Sequence, residues 1–300
     1  MATSQQFLVA DQSTAANFKG WAKPMSDFIR TAGWINNGDS GQLNGNGNGG
    51  WAGVSTVPGS GAYYYEVFKP NDGLATFCLK VEYGNFSGTN SPAVRLTIST
   101  TTDGAGTATG LIVGPFVPSG TSWTPASTTA TYECDFYGTT NSLAVLMNRT
   151  AAINAGGCYI FCIERSLNSS GVATGDYVTM YTIGSNGSGN IAYKQQSLLL
   201  ASPGAALLLS TSTSVRGNQA AGAFNGTIPV DAVAPFVGYW DQNGTTLASG
   251  SAADFTEGVT FSATLYGSSV TYMPTKIQVP FNQFGPVTNS TNYIACVRVS

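Results

Sequence analysis

The sequence predicts a mainly β protein of sandwich-like layers with one N-terminal α-helix, and three observations carry that reading. Only 9% of the 300 residues are Asp, Glu, Lys or Arg, against roughly 25% in ordinary soluble proteins. Long surface helices draw on Glu, Lys, Arg and Leu for propensity and for i,i+4 pairs. Second, the chain is rich in turn formers, with 37 Gly and 13 Pro among abundant Asn, Ser and Thr. Third, short alternating apolar runs recur between those turns, while a single stretch has helical periodicity.

That stretch lies in the first forty residues. Phe18, Trp21, Ala22, Met25, Phe28, Ile29 and Ala32 fall on one face of a helix. Ser13 or Thr14 is placed to cap its start and Gly33 to end it, with Pro24 predicting a kink or a late start. This face should pack on a sheet. Residues 36–50 follow, dense in Asn-Gly pairs that favour positive-φ turns, and read as an exposed loop.

From Trp51 onward the pattern is strand after strand. Residues 62–68, the turn Pro70-Asn-Asp-Gly73 and residues 76–83 predict a hairpin. Residues 94–99 alternate in the same way and end at Asp103-Gly-Ala-Gly106, after which a Thr/Gly/Pro/Ser-rich connection reaches about residue 125. A second set is expected at 131–136, 142–147, 157–165, 177–183 and 191–193. A third is expected at 259–266, 270–272, 276–279 and 293–299. The resulting division is 1–125, a helix plus β domain; 126–200, a second β domain or sheet; and 201–300, a C-terminal β domain. No fixed-period repeat points to a propeller or solenoid.

Composition also excludes functions. A net charge of -3 and a pI near 4.8 leave no basic footprint for nucleic acid and no polybasic membrane anchor. No apolar run reaches the roughly 20 residues that span a bilayer, and Met1-Ala-Thr-Ser-Gln-Gln6 lacks a secretory n- and h-region. Synthesis in a bacterial cytoplasm, without membrane insertion, is the expectation. Cys78, Cys134, Cys158, Cys162 and Cys296 sit mostly in apolar, strand-like runs and read as buried free thiols. The chain has no histidine. That removes the usual base of serine and cysteine hydrolases and the commonest transition-metal ligand, so no catalytic residue, cofactor or metal is expected.

Two carboxylates would suffice for a glycosidase. Glu66, Glu82, Glu133 and Glu164 lie in or beside predicted strands, where their first reading is solvent-facing residues, some paired with Arg95, Arg149 or Arg165. Asn37-Gly-Asp39-Ser-Gly41 has alternating oxygen ligands but no bidentate glutamate, so it reads as a turn and not as a calcium loop. Asp103-Gly-Ala-Gly-Thr-Ala-Thr-Gly110 lacks the Lys-Ser/Thr of a phosphate loop and reads as a hairpin loop. Aromatic residues are the remaining candidates. Tyr63, Tyr64 and Tyr65 are consecutive, so their side chains alternate between faces of a strand, and Tyr239 and Trp240 precede an Asp-Gln-Asn-Gly turn. Core packing is the first reading of these rings, interface packing the second and glycan contact the third.

Several strings carry a resemblance. Phe18-Lys-Gly-Trp21, Gly33-Trp34 and Asp39-Ser-Gly-Gln-Leu-Asn44 resemble the opening of structural proteins from tailed bacteriophages and prophages. Tyr64-Tyr-Glu-Val-Phe68, Leu79-Lys-Val-Glu-Tyr-Gly84, Asp103-Gly-Ala-Gly-Thr-Ala-Thr-Gly110, Cys162-Ile-Glu-Arg165 and Val259-Thr-Phe-Ser-Ala-Thr-Leu-Tyr-Gly267 continue the likeness. The resemblance implies a non-enzymatic virion component of the tail, baseplate or fibre region. Its partners would be copies of itself and other virion proteins. Capsid decoration, a receptor-binding module for a bacterial surface glycan, and a histidine-free polysaccharide depolymerase are the alternatives.

Overall fold

The computed structural model describes residues 2–9, 11, 13–43, 49–59, 61–84, 93–116, 131–149, 158–167, 173–183, 192–197, 207–208, 237–240, 260–265, 268–280 and 292–298. Among them, strands in antiparallel sheets dominate, accompanied by one α-helix. The chain divides into two compact units, one of Ala2–Leu143 with Arg149–Ala151, the other of Ala144–Asn148 with Ala152–Ser300.

The first unit opens with β1 (Ala2–Val9), which sequence alternation does not reveal because it begins with a run of small and polar residues. Helix α1 (Ala15–Thr31) follows, then β2 (Trp34–Asn36) and a 3-10 turn at Gly50–Gly53. Strands β3 (Tyr63–Pro70), β4 (Cys78–Gly84), β5 (Ala93–Thr102) and β6 (Ala108–Phe116) join β2 in a five-stranded sheet of order β2-β3-β4-β5-β6. The expected hairpin is β3–β4, with Tyr63 opposite Gly84 and Phe68 opposite Leu79. The residues 103–107 form the turn between β5 and β6, closed by the Asp103 N–H donating to the Thr107 carbonyl at 3.0 Å. Strand β7 (Thr131–Thr139) pairs along the whole of β1, and β8 (Ser142–Arg149) starts in this unit beside β7.

Helix α1 begins where its sequence permits. Thr14 has an extended backbone, and its hydroxyl accepts the Asn17 N–H at 3.1 Å, satisfying one of the first-turn donors. The helix starts at Ala15 and runs through Pro24. An interior proline costs about 3 kcal/mol. The buried face of Phe18, Trp21, Met25, Phe28 and Ile29 outweighs it, at roughly 1.5–3 kcal/mol for each fully buried large side chain. The Phe18 ring lies 5.8 Å from that of Tyr64 on β3, and the Phe28 ring 5.3 Å from that of Phe136 on β7, so α1 contacts both sheets of its unit. Gly33, at φ +94°, turns the chain out of the helix where a Cβ would stand 2.7 Å from a Thr140 methyl. Trp34 then donates its indole N–H to the Thr139 carbonyl at 2.8 Å.

The second unit contains β9 (Cys158–Leu167), β10 (Ala173–Ile183), β11 (Ala192–Ser197) and β12 (Leu207–Leu208), antiparallel in that order. It also holds a four-stranded sheet of β13 (Val237–Trp240), β14 (Phe261–Leu265), β15 (Ser268–Pro280) and β16 (Asn292–Arg298), in the order β13-β16-β15-β14. Ile163 and Arg165 on β9 are buried. Cys78 and Cys134 are buried free thiols, and Cys158, Cys162 and Cys296 have side chains outside the described residues.

Candidate functional site

Register and alternation sort the tyrosines. On β3, Tyr63 and Tyr65 project to one face of the five-stranded sheet and Tyr64 to the other, toward α1. Tyr64 is half-buried against Phe18, and its hydroxyl sits 3.1 Å from the Thr56 carbonyl. Tyr63 is 41% exposed. Lys80 and Arg95 each place their charge 5.3 Å from the Tyr63 ring centre, and Lys80 is 5.1 Å from that of Tyr65.

Glu82, directly opposite Tyr65 on one side and Arg95 on the other, is buried beneath this cluster. It pairs with Lys80 Nζ at 2.8 Å and with Arg95 Nε. Burial pushes its pKa up, but hydrogen bonds from Arg95 and Lys80 outweigh that and hold the carboxyl below the usual glutamate range. Tyr63, Tyr65, Lys80, Glu82 and Arg95 therefore form one aromatic and charged patch on the face away from α1. Sequence reasoning found the tyrosines and offered Arg95 as a partner for one of the strand glutamates, but it expected Glu82 to face solvent, whereas Glu82 is buried. The same reasoning missed Lys80, whose signal was its spacing of two from Glu82 on a strand.

Glu66, expected to face solvent, is instead wholly buried on the α1 side. Its Oε1 is paired with the Arg30 guanidinium, and its Oε2 accepts from the Tyr83 hydroxyl at 3.2 Å. Arg30 also donates to Ser26 Oγ at 2.6 Å and to Asn36 Oδ1 at 3.0 Å, and the Trp51 indole donates to Ser26 Oγ at 2.9 Å. Burial raises the Glu66 pKa, against the opposing pull of Arg30, Ser26, Tyr83 and Trp51. Tyr83 is pushed well above its ordinary value by burial and by the adjacent Glu66 charge. Glu66 and Glu82 thus lie on opposite faces of one sheet, since Glu66 is opposite Val81 and Glu82 is opposite Tyr65. Two carboxylates so placed cannot flank one glycosidic bond. The side chains of Glu133 and Glu164 lie outside the described residues.

The Asn37-Gly-Asp39 turn is a clasp. Asn37 and Leu43 donate backbone N–H groups to the Val67 and Tyr65 carbonyls at 2.7 and 2.9 Å, so residues 38–42 loop out from a continued edge pairing with β3. Gln42, buried in this loop, accepts the Val67 N–H on Oε1 at 2.9 Å and donates from Nε2 to the Asp39 carbonyl at 3.0 Å. Asp39, 2% exposed, accepts from the Thr102 hydroxyl at 2.9 Å and from the Gly106 N–H at 2.8 Å. The Tyr65 hydroxyl lies within hydrogen-bond reach of the Ser40 and Ala105 carbonyls, fixing its ring between loop and turn.

Tyr239 and Trp240 lie on β13, opposite Ala295 and Ile294, with side chains outside the described residues. Among the described residues no cluster of three His, Cys, Asp or Glu side chains could hold a metal ion, and no helix is long and apolar enough to cross a membrane. Compared with protein families, with curated proteins and with solved structures, the chain matches none.

Proposed function

We propose that the chain is a non-enzymatic structural component of a bacteriophage particle, from the tail, baseplate or fibre region. In this reading its sheets stack in sandwich-like layers within the virion, and it acts through contacts with copies of itself and with other virion proteins. The observation that supports it is where the two candidate acids of the first sheet lie. Glu66 and Glu82 are each buried in an ion pair on opposite faces of one sheet, where they brace a scaffold and cannot act together on a substrate. A chain with 9% charged residues also has little electrostatic resistance to self-association, which suits a protein whose working state is an assembly.

A second reading, a receptor-binding module for a bacterial surface glycan, is favoured by the half-exposed Tyr63 ring beside Lys80 and Arg95. Cryo-electron microscopy of intact particles of a phage that encodes this chain tests both. Density for it at the tail tip, baseplate or fibre is the expected result. Density on the capsid lattice would recast it as a decoration protein, and absence from the particle would refute both virion readings. Glycan binding by the purified chain, lost in Tyr63→Ala, would establish the second reading.

A further inference from the structure

Among the described residues, most of the strands that end a sheet carry a guard against edge pairing. Strand β2 has three residues, and its edge leads straight into the 38–42 loop. Strand β6 pairs with β5 through two register shifts and contains Gly110, at φ +78°, and Pro115. Strands β12 and β13 have two and four residues, while β14, with five uncharged residues in unbroken register, is the next plainest edge after β1. Short strands, bulges and prolines are the devices by which natural sheets discourage edge-to-edge pairing. Strand β1 has none of them. It ends its sheet, spans eight residues in uninterrupted register with β7, and reads Ala-Thr-Ser-Gln-Gln-Phe-Leu-Val, with no charge, proline or glycine. Among the described residues no strand occupies its outer edge.

We propose that β1 is the assembly edge of this chain, and that its occupant is the β1 strand of a second copy, paired antiparallel about a two-fold axis. An antiparallel self-pairing about a two-fold axis sets each residue opposite a different residue of the same strand, so a charge on the strand would face an uncharged residue of the other copy, or its own copy if it lay on the axis. An uncharged strand avoids both. The outer N–H and C=O groups of β1, which alternate with those bonded to β7, then find partners in the other copy. The inference rests on the assembly reading above and names the surface through which that assembly begins.

Light scattering on the purified full chain across a concentration series, joined to amide exchange at each concentration, tests it. The expected result is a concentration-dependent dimer or larger species, with exchange in Ala2–Val9 slowing as it forms. Gln5→Lys should weaken association by about tenfold or more, a loss of roughly 1.4 kcal/mol. If association persists while β1 exchange is independent of concentration, the edge inference is overturned and the assembly reading stands. A wild-type chain that stays monomeric at high micromolar concentration overturns both. If Gln5→Lys fails to fold, the wild-type exchange series still decides.

Discussion

Replacing Arg30 by Met should produce a destabilisation that depends steeply on pH. The side chain of Glu66 has no exposure, whereas that of Arg30 retains 28%. Removing one partner of a buried pair costs about 3–5 kcal/mol because the remaining charge is stranded. The partial exposure of Arg30 places the expected loss near the lower end at neutral pH. Glu66 has an escape, which is to take up a proton. Burial already raises its folded pKa above the unfolded value, and loss of the guanidinium raises it further. A group with a raised folded pKa contributes its stability below the unfolded value and loses it as pH rises toward the folded one. The cost of Arg30→Met should therefore be small near pH 4 and grow by up to about 1.4 kcal/mol per pH unit above that. The double replacement Arg30→Met with Glu66→Met removes both charges and should recover stability to within about 1 kcal/mol of wild type. Denaturant titration followed by tryptophan fluorescence reads mainly this unit, which holds buried Trp21, Trp34 and Trp51 among the five tryptophans of the chain. A cost for Arg30→Met that is flat between about pH 4 and pH 8, or a double variant no better than the single, would refute the reasoning.

Four further outcomes are expected. Glu82 titrates with the opposite sign: its folded pKa is held low, so its stabilisation is present above the ordinary glutamate range and lost as pH falls. Glu82→Gln should thus flatten the acid limb of the stability profile below about pH 5, measured by the same titration. Gly106→Ala should cost about 2 kcal/mol or more in unfolding free energy, since φ is +85° and the new Cβ would stand 2.2 Å from the Tyr65 ring. Thr14→Ala should lower stability by about 1 kcal/mol through loss of the Asn17 cap, visible as a fall in thermal midpoint. Tyr63→Ala should change stability by less than about 1 kcal/mol in denaturant titration, because the ring is 41% exposed, while Tyr65→Ala should cost clearly more.

Those elements whose information is local were legible in the sequence. The stripe from Phe18 to Ala32 gave α1 and its buried face, and the alternation on either side of Pro70-Asn-Asp-Gly73 gave the β3–β4 hairpin. Strand β1 was hidden because Ala-Thr-Ser-Gln-Gln has no apolar alternation, and its pairing with β7 lies more than a hundred residues away. The burial of Glu66 was hidden for a related reason. Val67 and Phe68 are both fully buried, so the sheet is covered on both faces there and alternation no longer tells inside from outside. One signal was available: Ser26 and Arg30, four apart, bring polar groups up to the apolar stripe of α1, and a buried polar group needs a partner elsewhere. The Tyr63–Tyr65 patch was half-legible, its rings from composition and its cations only from register.

The Asp39 clasp also sets an order of events during synthesis. Its acceptor leaves the ribosome 67 residues before Gly106, the donor that it must meet. Until the turn between β5 and β6 exists, Asp39 lacks its Thr102 and Gly106 donors and the Tyr65 hydroxyl has only its Ser40 acceptor, although Gln42 can already hold the loop to β3. Closing a span of that length carries an entropic cost that local pairing of β3 with β4 does not. Asp39 therefore meets its donors only after the 38–42 loop can already be held to β3, which makes the clasp a late contact of this sheet.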